Sequence, residues 1–228
     1  MNAKYLSLIL PILLFSRCGD NPSSPSNSIP VLVFAYASNA DGDWDIYLED
    51  PMGNEAVKLT YNSTDDWDPS ISPSGNAVIH QSYSEQLGTF CFYITDVERE
   101  YQETILCGDY ISYPRFNRVS SEQIAFYSRG EDGNMYIYSV RIDGTDITQM
   151  IPERVSSSPT GLCWNDNWIV FCDSSDGISV HNLESVTSTF ITHGKYPTLS
   201  PTGSRIAFVD SNAIFTIDRE GDNRIRLN

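Results

Sequence analysis

Basic residues are scarce in this chain. Lys and Arg together number 14 against 30 Asp and Glu, a formal net charge of −16. Phosphate binding relies on Lys and Arg, so a nucleic-acid partner is excluded. Histidine is nearly absent, with His80, His181 and His193 only. None falls in an H-E-x-x-H pattern, and the chain has no G-x-x-x-x-G-K-[ST] and no G-x-S-x-G. Four cysteines follow residue 18, namely Cys91, Cys107, Cys163 and Cys172. No two form a C-x-x-C pair, which argues against zinc. Outside the N-terminus no stretch is apolar enough to cross a membrane as a helix. No cofactor is implied, and the expectation is a protein that is not an enzyme.

What the chain does have is aromatic content, with 13 Tyr, 10 Phe and 4 Trp in 228 residues, a bias towards β structure. Residues 1–18 read as an export signal: Lys4, then the apolar run Tyr5–Phe15, then Cys18. The run is too short to span a bilayer. A Cys directly after it resembles the lipobox of bacterial lipoproteins, although Arg17 stands where a small residue is usual. The expectation is lipidation at Cys18, attachment to a membrane through that lipid, and a place in the cell envelope, at the periplasmic side of the outer membrane or the cell surface. Residues 19–30, rich in Ser, Pro and Asn, read as a disordered tether.

Residues 31–228 carry an internal repeat. The triplets ending at Phe34, His80, Phe126, Phe171 and Phe208 are spaced by 46, 46, 45 and 37 residues. Pro69, Pro114, Pro159 and Pro197 precede four of them and drift in step. A second aromatic-rich strand follows each, as in Asp45-Ile46-Tyr47 and Tyr136-Ile137-Tyr138. Four short strands per repeat of this length describe a propeller blade, whose two faces are buried only when blades stack around an axis. In the second repeat the strands fall near 68–72, 77–83, 90–96 and 103–107. The fold class is all-β, a propeller of about five four-stranded blades, the first with three strands unless residues 28–30 complete it.

Asp68-Pro69-Ser70-Ile71-Ser72-Pro73-Ser74-Gly75 and Tyr196-Pro197-Thr198-Leu199-Ser200-Pro201-Thr202-Gly203 resemble the signature of TolB-type propeller repeats. Trp44-Asp45-Ile46-Tyr47 and Lys58-Leu59-Thr60 match that family's third and fourth strands. Blade three, at Tyr113-Pro114-Arg115-Phe116-Asn117, and blade four depart from the pattern. The resemblance implies an envelope module that binds a protein or peptide. A carbohydrate-binding or carbohydrate-active propeller is the alternative.

Loops b–c and d–a of a propeller open on one face. Here they hold Asp41, Asp43, Trp44, Asp65, Asp66, Trp67, Asp109, Tyr110, Glu131 and Asp132, an acidic and aromatic set that is the candidate partner-binding face. Asp41, Asp43 and Asp45 alternate as calcium ligands do. The EF-hand frame fails beyond them, and a hairpin loop is the better reading. Cys91 and Cys107 are expected opposite one another across strands c and d of blade two, and Cys163 and Cys172 are expected as packed thiols.

Overall fold

The computed structural model describes residues 34–50, 56–97, 102–157, 160–175 and 177–227. The signal, Cys18 and the tether lie outside them, as do Val31–Val33 and Pro159.

The strands form five antiparallel sheets in chain order. Blade one holds β1 (Phe34–Ser38), β2 (Asp45–Glu49) and β3 (Val57–Lys58). Blade two holds β4 (Asp66–Ile71), β5 (Ala77–Ser84), β6 (Thr89–Asp96) and β7 (Gln102–Gly108). Blade three holds β8 (Ser112–Phe116), β9 (Gln123–Arg129), β10 (Met135–Arg141) and β11 (Thr148–Gln149). Blade four holds β12 (Leu162–Trp164), β13 (Trp168–Cys172), β14 (Gly177–Asn182) and β15 (Thr187–His193). Blade five holds β16 (Lys195–Leu199), β17 (Arg205–Asp210), β18 (Ala213–Asp218) and β19 (Ile225–Arg226). Among the described residues there is no helix and blade one has three strands.

The central strands are buried on both faces, and their period of two divides neighbouring residues between two cores. Ile124 and Phe126 pack with Ile79, Phe92 and Ile94 of blade two. Ala125 and Tyr127, the alternate residues, pack with Leu162, Ile169 and Phe171 of blade four. The same division puts Val170, Ile178 and Val180 against Leu199, Ile206 and Phe208 of blade five. Ile46, Leu48 and Leu59 of blade one meet Val78 of blade two. Each fully buried large side chain contributes roughly 1.5–3 kcal/mol relative to exposure. This is why the apolar triplets recur at blade spacing.

The inner strands pack around an axis: β4 against β8, β8 against β12, β12 against β16, with β1 against β4. No contact of similar extent joins blade five to blade one among the described residues. The three inner strands β4, β8 and β16 share one irregularity. Their ladders slip between Trp67 and Ser70, between Ser112 and Arg115, and between Lys195 and Thr198. At each slip the residue before the proline takes a left-handed conformation, with φ 54° at Asp68, 54° at Tyr113 and 55° at Tyr196. Such a φ is unfavourable for a bulky side chain and marks a bulge that takes the residue out of the ladder.

Cys91 stands opposite Cys107 and the two form a disulfide, with Cα atoms 4.0 Å apart. Phe92 faces Leu106 while Tyr93 faces Thr104, so Ile105 is the extra residue of a bulge. Cys163 and Cys172 are buried thiols outside any disulfide, and Cys172 Sγ lies 3.0 Å from Thr160 Oγ1.

Candidate functional site

At the junction of blades one and two, hydrogen bonds tie the b–c connection to the d–a connection. The Trp44 N–H donates to Asp65 Oδ1 at 3.0 Å, and the Asp66 N–H donates to the Trp44 carbonyl at 2.7 Å. Trp44, at the mouth of β2, and Trp67, on β4, therefore flank one blade junction. Both are half-buried.

The acidic residues divide by role. Asp66 is fully buried, so it does not belong to the exposed face on which the sequence places it. Its Oδ2 accepts from Asn62 Nδ2 at 2.9 Å, and its Oδ1 lies 3.7 Å from Nε2 of the equally buried His80. Burial raises the Asp66 pKa, against the pull of Ser82, Thr60 and Asn62. Burial alone lowers His80 to about 4, so the imidazole is neutral at pH 7 and stacks on Tyr93. Asp132 holds its own turn, accepting from the Asn134 N–H and from Tyr136 Oη. Asp109 accepts from Thr89 Oγ1 at 2.8 Å. Glu131 is exposed beside them.

Asp41, Asp43 and Asp45 bring carboxylate oxygens within 4.8 Å of one another. Lys58, on β3, takes the position a cation would need: its Nζ is 2.6 Å from Asp41 Oδ2 and 2.6 Å from Asp45 Oδ2. Its hydrogen bonds to Asp41 and then Asp45 raise the lysine pKa, and the bond to Lys58 lowers Asp41. Burial dominates at Asp45 and raises it despite Lys58. The chemistry of the cluster is that of an internal ion pair. Lys58 is conspicuous in sequence only as the residue before Leu59-Thr60.

The aromatic part of the face is larger than the sequence suggests. The Trp67 ring lies 6.2 Å from Phe90, and Phe90 meets Tyr83 edge-on at 5.4 Å. Tyr83 is 40% exposed at the end of β5. Trp67, Phe90 and Tyr83 thus form a stripe across the top of blade two. Beside it, Tyr110 is 53% exposed and carries the Arg129 guanidinium 3.8 Å above its ring. Tyr83 and Phe90 escape a search for loop residues because they end strands, where β propensity already accounts for them.

A second group lies at the axis. Arg115, on β8, is only 8% exposed. Its Nη1 donates to the Asp68 carbonyl at 3.0 Å and to the Pro114 carbonyl at 2.9 Å, and its Nε is buried without a partner. Asp68 is half-buried, and burial raises its carboxyl while Arg115 and the Tyr113 N–H pull it down. Tyr113 is pushed up to about 12, first by burial and then by the Asp68 charge, with smaller effects from Arg115, Tyr196 and Cys172. Pro197 and the Tyr196 backbone abut Gly161, where an added Cβ would come within 2.9 Å and 3.0 Å of them. Arg118 Nη2 reaches across from blade three to Thr198 Oγ1 of blade five, 2.9 Å away, and its backbone N–H donates to the Trp164 carbonyl.

Five successive antiparallel blades whose inner strands surround one axis define a β-propeller, and the fold is of the TolB type. Among solved structures the chain is similar to TolB from Acinetobacter baumannii, with a TM-score of 0.72, 14% identity, 86% of this chain covered and 52% of that one. It thus spans about half the length of that TolB. A chain of a nidogen–laminin complex matches with a TM-score of 0.68 and 11% identity, over 85% of this chain and 74% of that one. Oligogalacturonate lyase from Vibrio parahaemolyticus matches with a TM-score of 0.54 and 12% identity, over 86% and 74%. No protein-family model and no curated protein sequence matches the chain.

Proposed function

We propose that the chain is a non-enzymatic interaction module of the cell envelope, held to a membrane by a lipid on Cys18, and that the Trp67–Phe90–Tyr83 face binds a protein or peptide. The stripe is the observation that carries this reading. Aromatic side chains that are partly exposed, in mutual contact and rimmed by Asp65, Asp109 and Tyr110 are the composition of a binding hot spot. The similarity to TolB and to a chain of a nidogen–laminin complex supports a fold used for such contacts.

A carbohydrate ligand is the second reading, favoured by the similarity to oligogalacturonate lyase. Hydrolysis by two flanking carboxylates finds no support on the inner strands: among the described residues β4 carries Asp66 and Asp68, while β8, β12 and β16 carry no acid. A pull-down from envelope extract, run beside a glycan array, separates the two. The interaction reading expects a captured protein that Trp67→Ala loses, with no glycan retained. Retention of glycans and of no protein would replace it with the second reading.

A further inference from the structure

The Arg115 guanidinium is a buried charge with neutral partners. Among the described residues no carboxylate oxygen lies within 4.0 Å of it, and its hydrogen bonds go to two backbone carbonyls. Both fall on Nη1, so the Nε–Nη2 edge, the one that takes a carboxylate side-on, has no partner among the described residues. Buried charges are ordinarily paired, because an unpaired one bears its full desolvation cost. The obvious counter-ion, the Asp68 side chain, is close enough to feel the charge, yet Arg115 bonds the Asp68 carbonyl instead.

The surroundings are built alike in three blades. Asp68, Tyr113 and Tyr196 occupy the same bulge position before a proline, each at positive φ. A tyrosine held in that conformation is strained, and strain of this kind concentrates at ligand sites. Ser70, Thr160 and Thr198 occupy the position that Arg115 fills in blade three. A small hydroxyl residue in three blades and a buried arginine, over the Tyr113 ring, in blade three mark a departure from the repeat. Tyr196 is 42% exposed, and Arg118 donates to Thr198, the blade-five counterpart of Arg115.

We infer that the axis binds a small carboxylate-bearing ligand, with its anion on Arg115, its body between Tyr113 and Tyr196, and a hydroxyl or N–H of the ligand donated to Asp68. One guanidinium beside one carboxylate suits a monoanion that also carries a donor. An acidic sugar and the free C-terminus of a peptide share that chemistry. The site is separate from the aromatic stripe, and either can fail without the other.

Two matched pairs of probes test it by isothermal titration calorimetry on the full chain: glucuronate against glucose, and N-acetyl-dialanine against its amide. In at least one pair the charged member binds about tenfold or more tightly than its neutral twin, as expected for a charge-assisted bidentate bond. The sugar pair alone, the peptide pair alone, or both responding names the source of the carboxylate. Arg115→Gln abolishes the difference. Tyr196→Ala, at a half-exposed position, weakens binding several-fold and leaves the melting curve unchanged, so the test survives if Arg115→Gln does not fold. Equal affinity within both pairs, no binding at millimolar concentration, or full binding by a folded Arg115→Gln protein overturns the inference.

Discussion

Cys107 lies directly across from Cys91, on neighbouring strands of blade two, and the pair closes a hairpin with a sequence separation of 16. Cys91 is fully buried, so the bond is shielded by the packing it helps to fix. A cross-link of this span removes denatured-state entropy worth about 3 kcal/mol. Cys91→Ser with Cys107→Ser should lower stability by roughly that amount in urea denaturation, and reductant should lower the wild type alone. An unchanged midpoint in the double variant contradicts it.

His80 makes blade two sensitive to acid. Its folded pKa, about 4, is below the reference value of 6.5, so the unfolded chain takes up a proton that the folded chain refuses. Stability is whole above pH 6.5, falls through the interval, and is fully lost below 4, about 3 kcal/mol in all. Asp66 acts in the opposite sense: its raised folded pKa lets the native state gain a proton first, so it recovers some stability just above the reference 3.8. His80→Phe places in blade two the residue that Phe126, Phe171 and Phe208 supply elsewhere. Its stability should fall less than that of the wild type between pH 6.5 and 4 in denaturation curves. Parallel loss in both proteins rules out His80 as the cause.

Lys58 is the cation of the Asp41–Asp43–Asp45 cluster. Lys58→Met leaves the fully buried Asp45 without its counter-charge and should lower the melting temperature clearly. Calcium at millimolar concentration should leave the wild-type melting temperature where it is. A rise of several degrees would mean that a divalent ion displaces Lys58.

Lipidation at Cys18 is checked by mass spectrometry of the mature protein. The expected N-terminus is a diacylated or triacylated Cys18. An unmodified N-terminus beyond residue 18 contradicts it.

The blades were legible because both faces of each central strand are buried, which forces apolar residues to recur at blade spacing. Blade two shows how closely: 77–83 was expected for the strand observed at Ala77–Ser84, and 90–96 for Thr89–Asp96. The site was less legible. Asp66 looks like a loop acid in sequence, but the d–a turn carries it into the blade junction, where Asn62 and His80 enclose it. Arg115 stood in plain view as a departure from the repeat and reads as erosion of the motif until its burial is known. Tyr83 and Phe90 could not be separated from ordinary strand aromatics, because exposure depends on where a strand ends relative to its neighbours.

Site-specific photo-crosslinking in living cells tests the interaction reading most directly. A photoreactive residue replaces Tyr83 or Tyr110 on the aromatic face, or Glu220 on the opposite c–d loop as a control. The account predicts a discrete crosslinked adduct from the first two positions, none from the third, and loss of the Tyr83 adduct in a folded Trp67→Ala background. Adducts from Glu220 alone, or an unaltered Tyr83 adduct without Trp67, would contradict it.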